Sequence, residues 1–313
     1  MVIGGVLVVV GLLVLAVSAD RFVLASARLA VRYQVSPVVV GAVLIGFGTS
    51  APEMVVSGIA AVSGDLEIGV GNVIGSNAAN VTLVLAASAV IRVVPVESAT
   101  IRREVPISVA SCLVFALLIQ GEISRLDGLI LATLIGVFLV GILRTGTADD
   151  PSFVDDVSSL TGDQPRSLGV EVALIVSGLV GISVSAWMVV VGASRLADAW
   201  GLSGGFVGFT LVALGTSAPE LATSVQAARR GETELLVGNL LGSNVFNSLA
   251  VGGVIGLVGP GPVVNTQLAE RGSVLMMVIV FVSAAFMVFG RSVGRIKAVI
   301  LLLLWGLAVG LLS

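Results

Sequence analysis

Residues 46–53 read GFGTSAPE, and residues 213–220 read ALGTSAPE. A second motif repeats behind each: GNVIGSN at 71–77 and GNLLGSN at 238–244. Both pairs stand 167 residues apart. The same offset lays Arg28-Leu29-Ala30 on Arg195-Leu196-Ala197 and Asn80 on Asn247, with no gap from about residue 28 to residue 80. A register kept over that distance is an internal duplication, and the fold must accommodate two copies of one unit.

The composition sets the solvent of that unit. The 313 residues are 57% hydrophobic and 11% charged, whereas soluble domains carry about 25% charge. So little charge does not clothe a water-exposed surface. The chain is therefore expected to be an all-α, multi-pass membrane protein. Its 39 glycines favour closely packed transmembrane helices. Long apolar runs, rather than alternating segments of ~10 residues, exclude an outer-membrane barrel.

With about 20 residues per span, ten spans are predicted near 2–32, 38–62, 66–90, 101–120, 123–144, 168–200, 205–229, 234–258, 271–290 and 295–312. Thirteen basic residues fall on one set of alternate loops, and three (Arg125, Arg195 and Arg271) on the other. Basic residues favour the cytoplasmic side, so both termini are expected outside. Val17-Ser18-Ala19 has the look of a signal-peptidase site, but no basic residue precedes the apolar run as a signal peptide requires. The first span also has a partner in the second copy, so it is expected to stay.

Each copy holds five spans, and an odd number makes the second enter the membrane from the opposite face. The expected architecture is thus ten transmembrane helices as two inverted five-helix repeats, 1–145 and 168–313, joined by an acidic cytoplasmic linker at 146–167. Inverted repeats are typical of secondary transporters, whose sites lie at the midplane between the halves. The linker's aspartates read as a solvated connector; a regulatory cation loop is the alternative, without the spacing or glycine of an EF-hand.

Absences narrow the chemistry. There is no His, so imidazole metal sites and His general bases are excluded. Cys112 is the only cysteine and Lys297 the only lysine. No basic cluster offers a nucleic-acid surface. Ser50 and Ser217 have no base to make them nucleophiles, and no enzyme activity is expected.

Glu53 and Glu220 are the only acids placed well inside apolar spans. A charged Asp at a helix centre costs ~2.5–3.5 kcal/mol on insertion scales, and Glu is comparable. Either both are protonated or a cation neutralises them, and their neighbours favour the cation. Thr49 and Glu53 share a helix face with Ser50 beside them, and Ser76 and Asn80 form a second i, i+4 pair. The other copy supplies Thr216, Ser217, Glu220, Ser243 and Asn247. All are oxygen donors, which suit hard cations such as Na⁺, Ca²⁺, Mg²⁺ or Mn²⁺. Pro52 and Pro219 disturb the helical ladder one turn back, which frees carbonyls around Gly46–Gly48 and Ala213–Gly215. Gly46 and Ala213 are therefore candidate backbone ligands. Gly71, Gly75, Gly238 and Gly242 read as helix-packing positions. Asn72, Asn77, Asn239 and Asn244 either bond between helices or line the ion path.

GTSAPE occurring twice, each time followed by GN-x-x-GSN, resembles the two alpha repeats of the sodium/calcium exchanger family, within the calcium/cation antiporter superfamily, and most closely its short prokaryotic members. The resemblance covers 28–90 and 195–258 and, through the ten-span layout, the whole chain. It implies antiport of Na⁺ against Ca²⁺ by alternating access at four central sites. It implies Thr49, Ser50, Glu53, Ser76, Asn80, Thr216, Ser217, Glu220, Ser243 and position 247 as ligands, with carbonyls from Gly46 and Ala213. It also implies that the long first and sixth spans slide as a pair against the other eight. Asn247 is a departure, because some relatives carry Asp there. The missing third carboxylate argues against potassium dependence and leaves a site charge of −2. One Ca²⁺ balances that charge and three Na⁺ exceed it by one, so exchange is expected to be electrogenic. No cofactor or protein partner is needed beyond the two ions and the bilayer of the cell membrane. The rival readings are a proton-coupled Ca²⁺/cation exchanger and a passive cation channel.

Overall fold

A computed structural model describes residues 1–32, 46–145, 167–231, 233–264 and 267–313. The helices are α1 (Val2–Arg32), α2 (Gly46–Ser63), α3 (Leu66–Ile91), α4 (Ser98–Leu118), α5 (Arg125–Thr145) and α6 (Leu168–Trp200). Beyond them come α7a (Gly204–Thr216), α7b (Ala218–Arg230), α8 (Thr233–Val245, continued through Gly252–Val258), α9 (Gln267–Gly290) and α10 (Arg295–Leu312). Each of the ten predicted spans is thus occupied by helix. The predicted start of the second span at 38, and the linker apart from Ser167, lie outside the described residues.

Among the described residues, five helices are long and apolar enough by themselves to cross a bilayer: α3, α6, α9, α10 and Leu236–Val258 within α8. The bent pair α7a–α7b makes a sixth. Apolar side chains face outward both on α10 (Leu303, Leu307 and Leu311) and on α5 (Leu126, Leu129 and Val137), where they are exposed. A continuous exposed belt of this kind is covered by lipid in a helical membrane protein.

The duplication is visible in the element bounds. α2 ends at Ser63, 167 residues before α7b ends at Arg230, and Leu85–Ile91 ends α3 as Gly252–Val258 ends α8, at the same offset. The turns behind α2 and α7b are made by Gly64 (φ 87°) and Gly231 (φ 86°), also 167 apart. Both sit in the left-handed region that glycine tolerates without a Cβ penalty. The register read over 28–80 therefore extends to residue 91. Two short antiparallel ladders exchange partners between the copies. β1 (Val94–Pro95) pairs with β4 (Ser292–Val293), and β2 (Glu122–Ile123) pairs with β3 (Gly261–Pro262).

α1 and α6 pack along each other, antiparallel. A Cβ on Gly4 would meet the Gly192 carbonyl at 3.2 Å, one on Gly11 the Ser185 carbonyl at 3.0 Å, and one on Gly178 the Ser18 carbonyl at 3.2 Å. Glycine lets the two backbones come this close. The pair leans on the rest through Val56, Ala60, Ile68, Val207 and Val212. At one end, Arg28 Nε of α1 donates to Glu171 Oε1 of α6 at 2.7 Å, and Glu171 is buried.

The copies interlock elsewhere by the same means. A Cβ on Gly71 would strike the carbonyl of Gly205, and one on Gly75 that of Phe209. These two glycines have the packing role expected of them. Residues 38–42, which mirror those contacts for Gly238 and Gly242, lie outside the described residues.

Candidate ion-binding site

α3 carries a polar stripe through an apolar bundle. Asn72, Ser76, Asn77 and Asn80 are all completely buried. Their partners in α8, Ser243, Asn244 and Asn247, are 1%, 0% and 0% exposed. Glu53 of α2 and Glu220 of α7b are at 0%. Nine polar residues almost without solvent, drawn from both copies, form a region where the helices turn oxygen rather than hydrocarbon inward.

The backbone is irregular at the same depth. α3 passes through a π turn at Asn80–Val84, α8 through one at Phe246–Val251, and α7a through one at Gly208–Val212. The widened turns close as Leu85 N–H to the Asn80 carbonyl and Gly252 N–H to the Asn247 carbonyl, again 167 apart. π turns often mark functional sites because the extra residue re-aims the side chains that follow. Three carbonyls at or beside the α3 bulge take side-chain donors. Thr82 Oγ1 donates to Ala78 O at 2.6 Å, Ser283 Oγ to Val81 O at 2.7 Å and Asn244 Nδ2 to Asn77 O at 3.3 Å.

Hydrogen bonds tie the copies together across this region. Ser217 Oγ donates to Glu53 Oε1 at 3.1 Å, Thr216 Oγ1 to Asn72 Oδ1 at 3.0 Å and Asn80 Nδ2 to Asn244 Oδ1 at 3.1 Å. Asn72 in turn donates to Ser57 Oγ at 3.0 Å, and Ser57 Oγ donates to the Gly69 carbonyl at 3.3 Å. Sequence reasoning passed over Ser57 and Ser248. The repeat held a signal for Ser57, because the offset of 167 lays it on Ser224, and both serines are buried.

Among the described atoms, several buried oxygens in this region have no hydrogen-bond partner: Ser50 Oγ, Glu53 Oε2, Ser76 Oγ, Asn80 Oδ1 and Asn247 Oδ1. Buried polar atoms are normally satisfied, and each orphan costs ~1–3 kcal/mol. All five lie on residues already singled out by their chemistry, and their lone pairs are open to a cation. No cluster of three or more Asp, Glu, Cys or His exists among the described residues, so the acidic content here is the two glutamates.

The prolines act differently from expectation. α2 runs unbroken through Pro52, whereas the second copy breaks between Thr216 and Ala218 with a bend of 42°. The carbonyl of Ala213 is not left open: it accepts Ser217 N–H at 3.0 Å and Thr216 Oγ1 at 3.4 Å. The carbonyl one turn before Pro219 belongs to Gly215. Gly46 and Thr49 lie in the first turn of α2, and the Thr49 side chain lies outside what the structure describes.

The chain has counterparts among known proteins. The family described as sodium/calcium exchanger protein matches residues 3–144 and 170–313. Inner membrane protein YrbG of Escherichia coli is 35% identical over 285 residues, which is 89% of this chain and 87% of the relative. Sodium/calcium exchanger MaX1 of Methanosarcina acetivorans is 26% identical over 96% of this chain and 95% of its own. In three dimensions the chain superposes on the sodium-calcium exchanger NCX_Mj with a TM-score of 0.67 at 29% identity, covering 100% of this chain and 99% of that one. With both copies of the repeat matched, the chain belongs to the sodium/calcium exchanger family.

Proposed function

We propose that the protein moves Ca²⁺ against Na⁺ across the membrane by alternating access, as a transporter and not an enzyme. The carrying observation is the set of unpartnered buried oxygens around Glu53, Ser50, Ser76, Asn80 and Asn247. A cation answers their lone pairs and offsets the burial of Glu53 and Glu220 together. The ligand set is Thr49, Ser50, Glu53, Ser76 and Asn80 from the first copy, with Thr216, Ser217, Glu220, Ser243 and Asn247 from the second. Gly46 and Ala213 add backbone oxygens when the ladder around Ala213 opens. These donors are all oxygen, as Na⁺ and Ca²⁺ require.

All ten helices cross the bilayer as two inverted five-helix halves, 1–145 and 168–313, with both termini outside and the acidic linker 146–167 in the cytoplasm. The antiparallel packing of α1 on α6 and the exchanged ladders support the inversion. The glycine-lined seam supports movement of α1 and α6 as one body against the rest. Two carboxylates matched by one Ca²⁺, and exceeded by three Na⁺, make the cycle electrogenic.

Purified protein in vesicles loaded with Na⁺ tests the reading. An outward Na⁺ gradient is expected to drive radiolabelled Ca²⁺ inward, and collapsing the gradient is expected to stop uptake. Uptake that follows a pH gradient and ignores Na⁺ would replace Na⁺ by protons as the coupling ion. Ca²⁺ flux that needs no counter-ion would make the protein a channel.

A further inference from the structure

The mirrored asparagines do not behave alike. Asn77 corresponds to Asn244 and Asn80 to Asn247, each pair 167 residues apart. Asn244 Nδ2 faces the backbone carbonyl of Asn77 at 3.3 Å. A carbonyl only accepts, so the group facing it must be the NH₂ of Asn244. The Asn244 oxygen then points at Asn80, 3.1 Å away, and Asn80 must meet it with its own NH₂. That leaves Asn80 Oδ1 turned away from Asn244, buried and without a hydrogen-bond partner among the described residues. One fixed acceptor thus sets the direction of two amides in series.

The mirror image of this chain would have Asn247 Nδ2 donating to Asn77 Oδ1. It does not form. Asn77 Nδ2 bonds instead to Ser248 Oγ at 2.9 Å and lies 3.6 Å from Met276 Sδ. Asn77 Oδ1 and both polar atoms of Asn247 have no partners among the described residues. The cause is in the sequence: the position mirrored to Ser248 is Val81, which has no hydroxyl to draw Asn244 away.

We propose that Asn244 is a positioning residue that holds the Asn80 amide with its oxygen towards the ion, while Asn247, robbed of its counterpart by Ser248, turns freely. The inference rests on Asn80 being an ion ligand, as argued above. A ligand oriented before binding spares the cost of ordering it. The two halves of the cage are therefore unequal: one presents its amide oxygen in advance, and the other adopts it on binding.

The test compares half-saturating Ca²⁺ and maximal rate for Na⁺-driven uptake in vesicles, for the native protein, Asn244→Ala, Asn80→Asp and the double variant. Asn244→Ala is expected to raise half-saturating Ca²⁺ about tenfold with the maximal rate kept. An Asp at 80 carries two oxygens and has no wrong way round, so in that background Asn244→Ala is expected to shift half-saturation less than about twofold. An equal shift in both backgrounds would show a merely structural role and overturn the proposal. Ser248→Val gives an independent arm, because it recreates the Val81 environment and releases Asn77 to hold Asn247. Half-saturation is expected to fall several-fold, and an unchanged value would overturn the asymmetry. A native protein with no Na⁺-driven Ca²⁺ uptake would overturn the exchange reading and this one together. Native exchange with unresponsive variants would overturn this one alone.

Discussion

Ser217 and Glu53 are 164 residues apart in sequence, and the hydroxyl of the first donates to the carboxylate of the second at 3.1 Å. The bond joins corresponding motifs of the two copies, GTSAPE to GTSAPE. Glu53 is therefore positioned by the opposite copy as well as by its own helix, and motion of one copy against the other is felt at this carboxylate.

Ser217→Ala removes that donor and leaves Glu53 Oε1 bare in a dry region. Hydrogen bonds to charged groups contribute ~1.5–3 kcal/mol, so half-saturating Ca²⁺ is expected to rise ~10- to 100-fold. Ser217→Thr keeps a hydroxyl and is expected to retain most of the affinity. Ca²⁺ titration of uptake in vesicles reads both, and a weakened Thr variant equal to the Ala variant would show that the hydroxyl is not the operative group.

Glu53→Gln and Glu220→Gln keep the shape of the side chain and remove its charge. Each is expected to abolish Ca²⁺ exchange in a folded protein. Thermal unfolding separates loss of binding from loss of fold. Ca²⁺ at a hundred times its dissociation constant stabilises the native protein by about 2.7 kcal/mol, and chelation removes that increment. Neither variant is expected to show any rise in melting temperature with Ca²⁺. A Ca²⁺-dependent rise in both would place the site elsewhere.

Gly75 lies where α3 meets α7a, and a Cβ there would collide with the Phe209 carbonyl. Backbone does not yield as a flexible side chain does, so Gly75→Ala is expected to destabilise by ~1–3 kcal/mol and to depress exchange. Gly136 of α5 has nothing within 4 Å of such a Cβ. Gly136→Ala is expected to be neutral, or stabilising by up to ~1 kcal/mol. Equal melting temperatures for the two variants would contradict the close approach.

Much of this architecture was legible in the sequence because lipid imposes simple rules. α6 occupies the predicted 168–200 to the residue, since the run starts behind the Ser167 cap and stops at Gly201 in the left-handed region. The two glutamates stood out because an acid between hydrocarbon walls needs a reason. The π turns left no local trace, since they answer to packing partners far along the chain. Nor did the unequal behaviour of identical motifs: SAPE continues a helix at 50–53 and starts a new one after a bend at 217–220. Glu171 stands in the first turn of α6, where an acid ordinarily meets solvent, and its burial is matched by Arg28, 143 residues away.

The α1–α6 pair gives the sharpest prediction about motion. Gly11 approaches Val189 across the seam, with a Cβ on Gly11 lying 2.9 Å from Val189 Cγ2. Leu12 of α1 touches Gly215 of α7a, where a Cβ would press into its side chain. If α1 and α6 travel together, a disulfide between Gly11→Cys and Val189→Cys ties two parts of one moving body, and exchange is expected to survive oxidation. A disulfide between Leu12→Cys and Gly215→Cys ties the moving pair to the stationary bundle. Exchange is then expected to stop on oxidation and return on reduction. The only native thiol, Cys112, is buried and does not compete. Survival of exchange through the second crosslink, with its formation verified by mass spectrometry, would show that α1 does not move against α7a during the cycle.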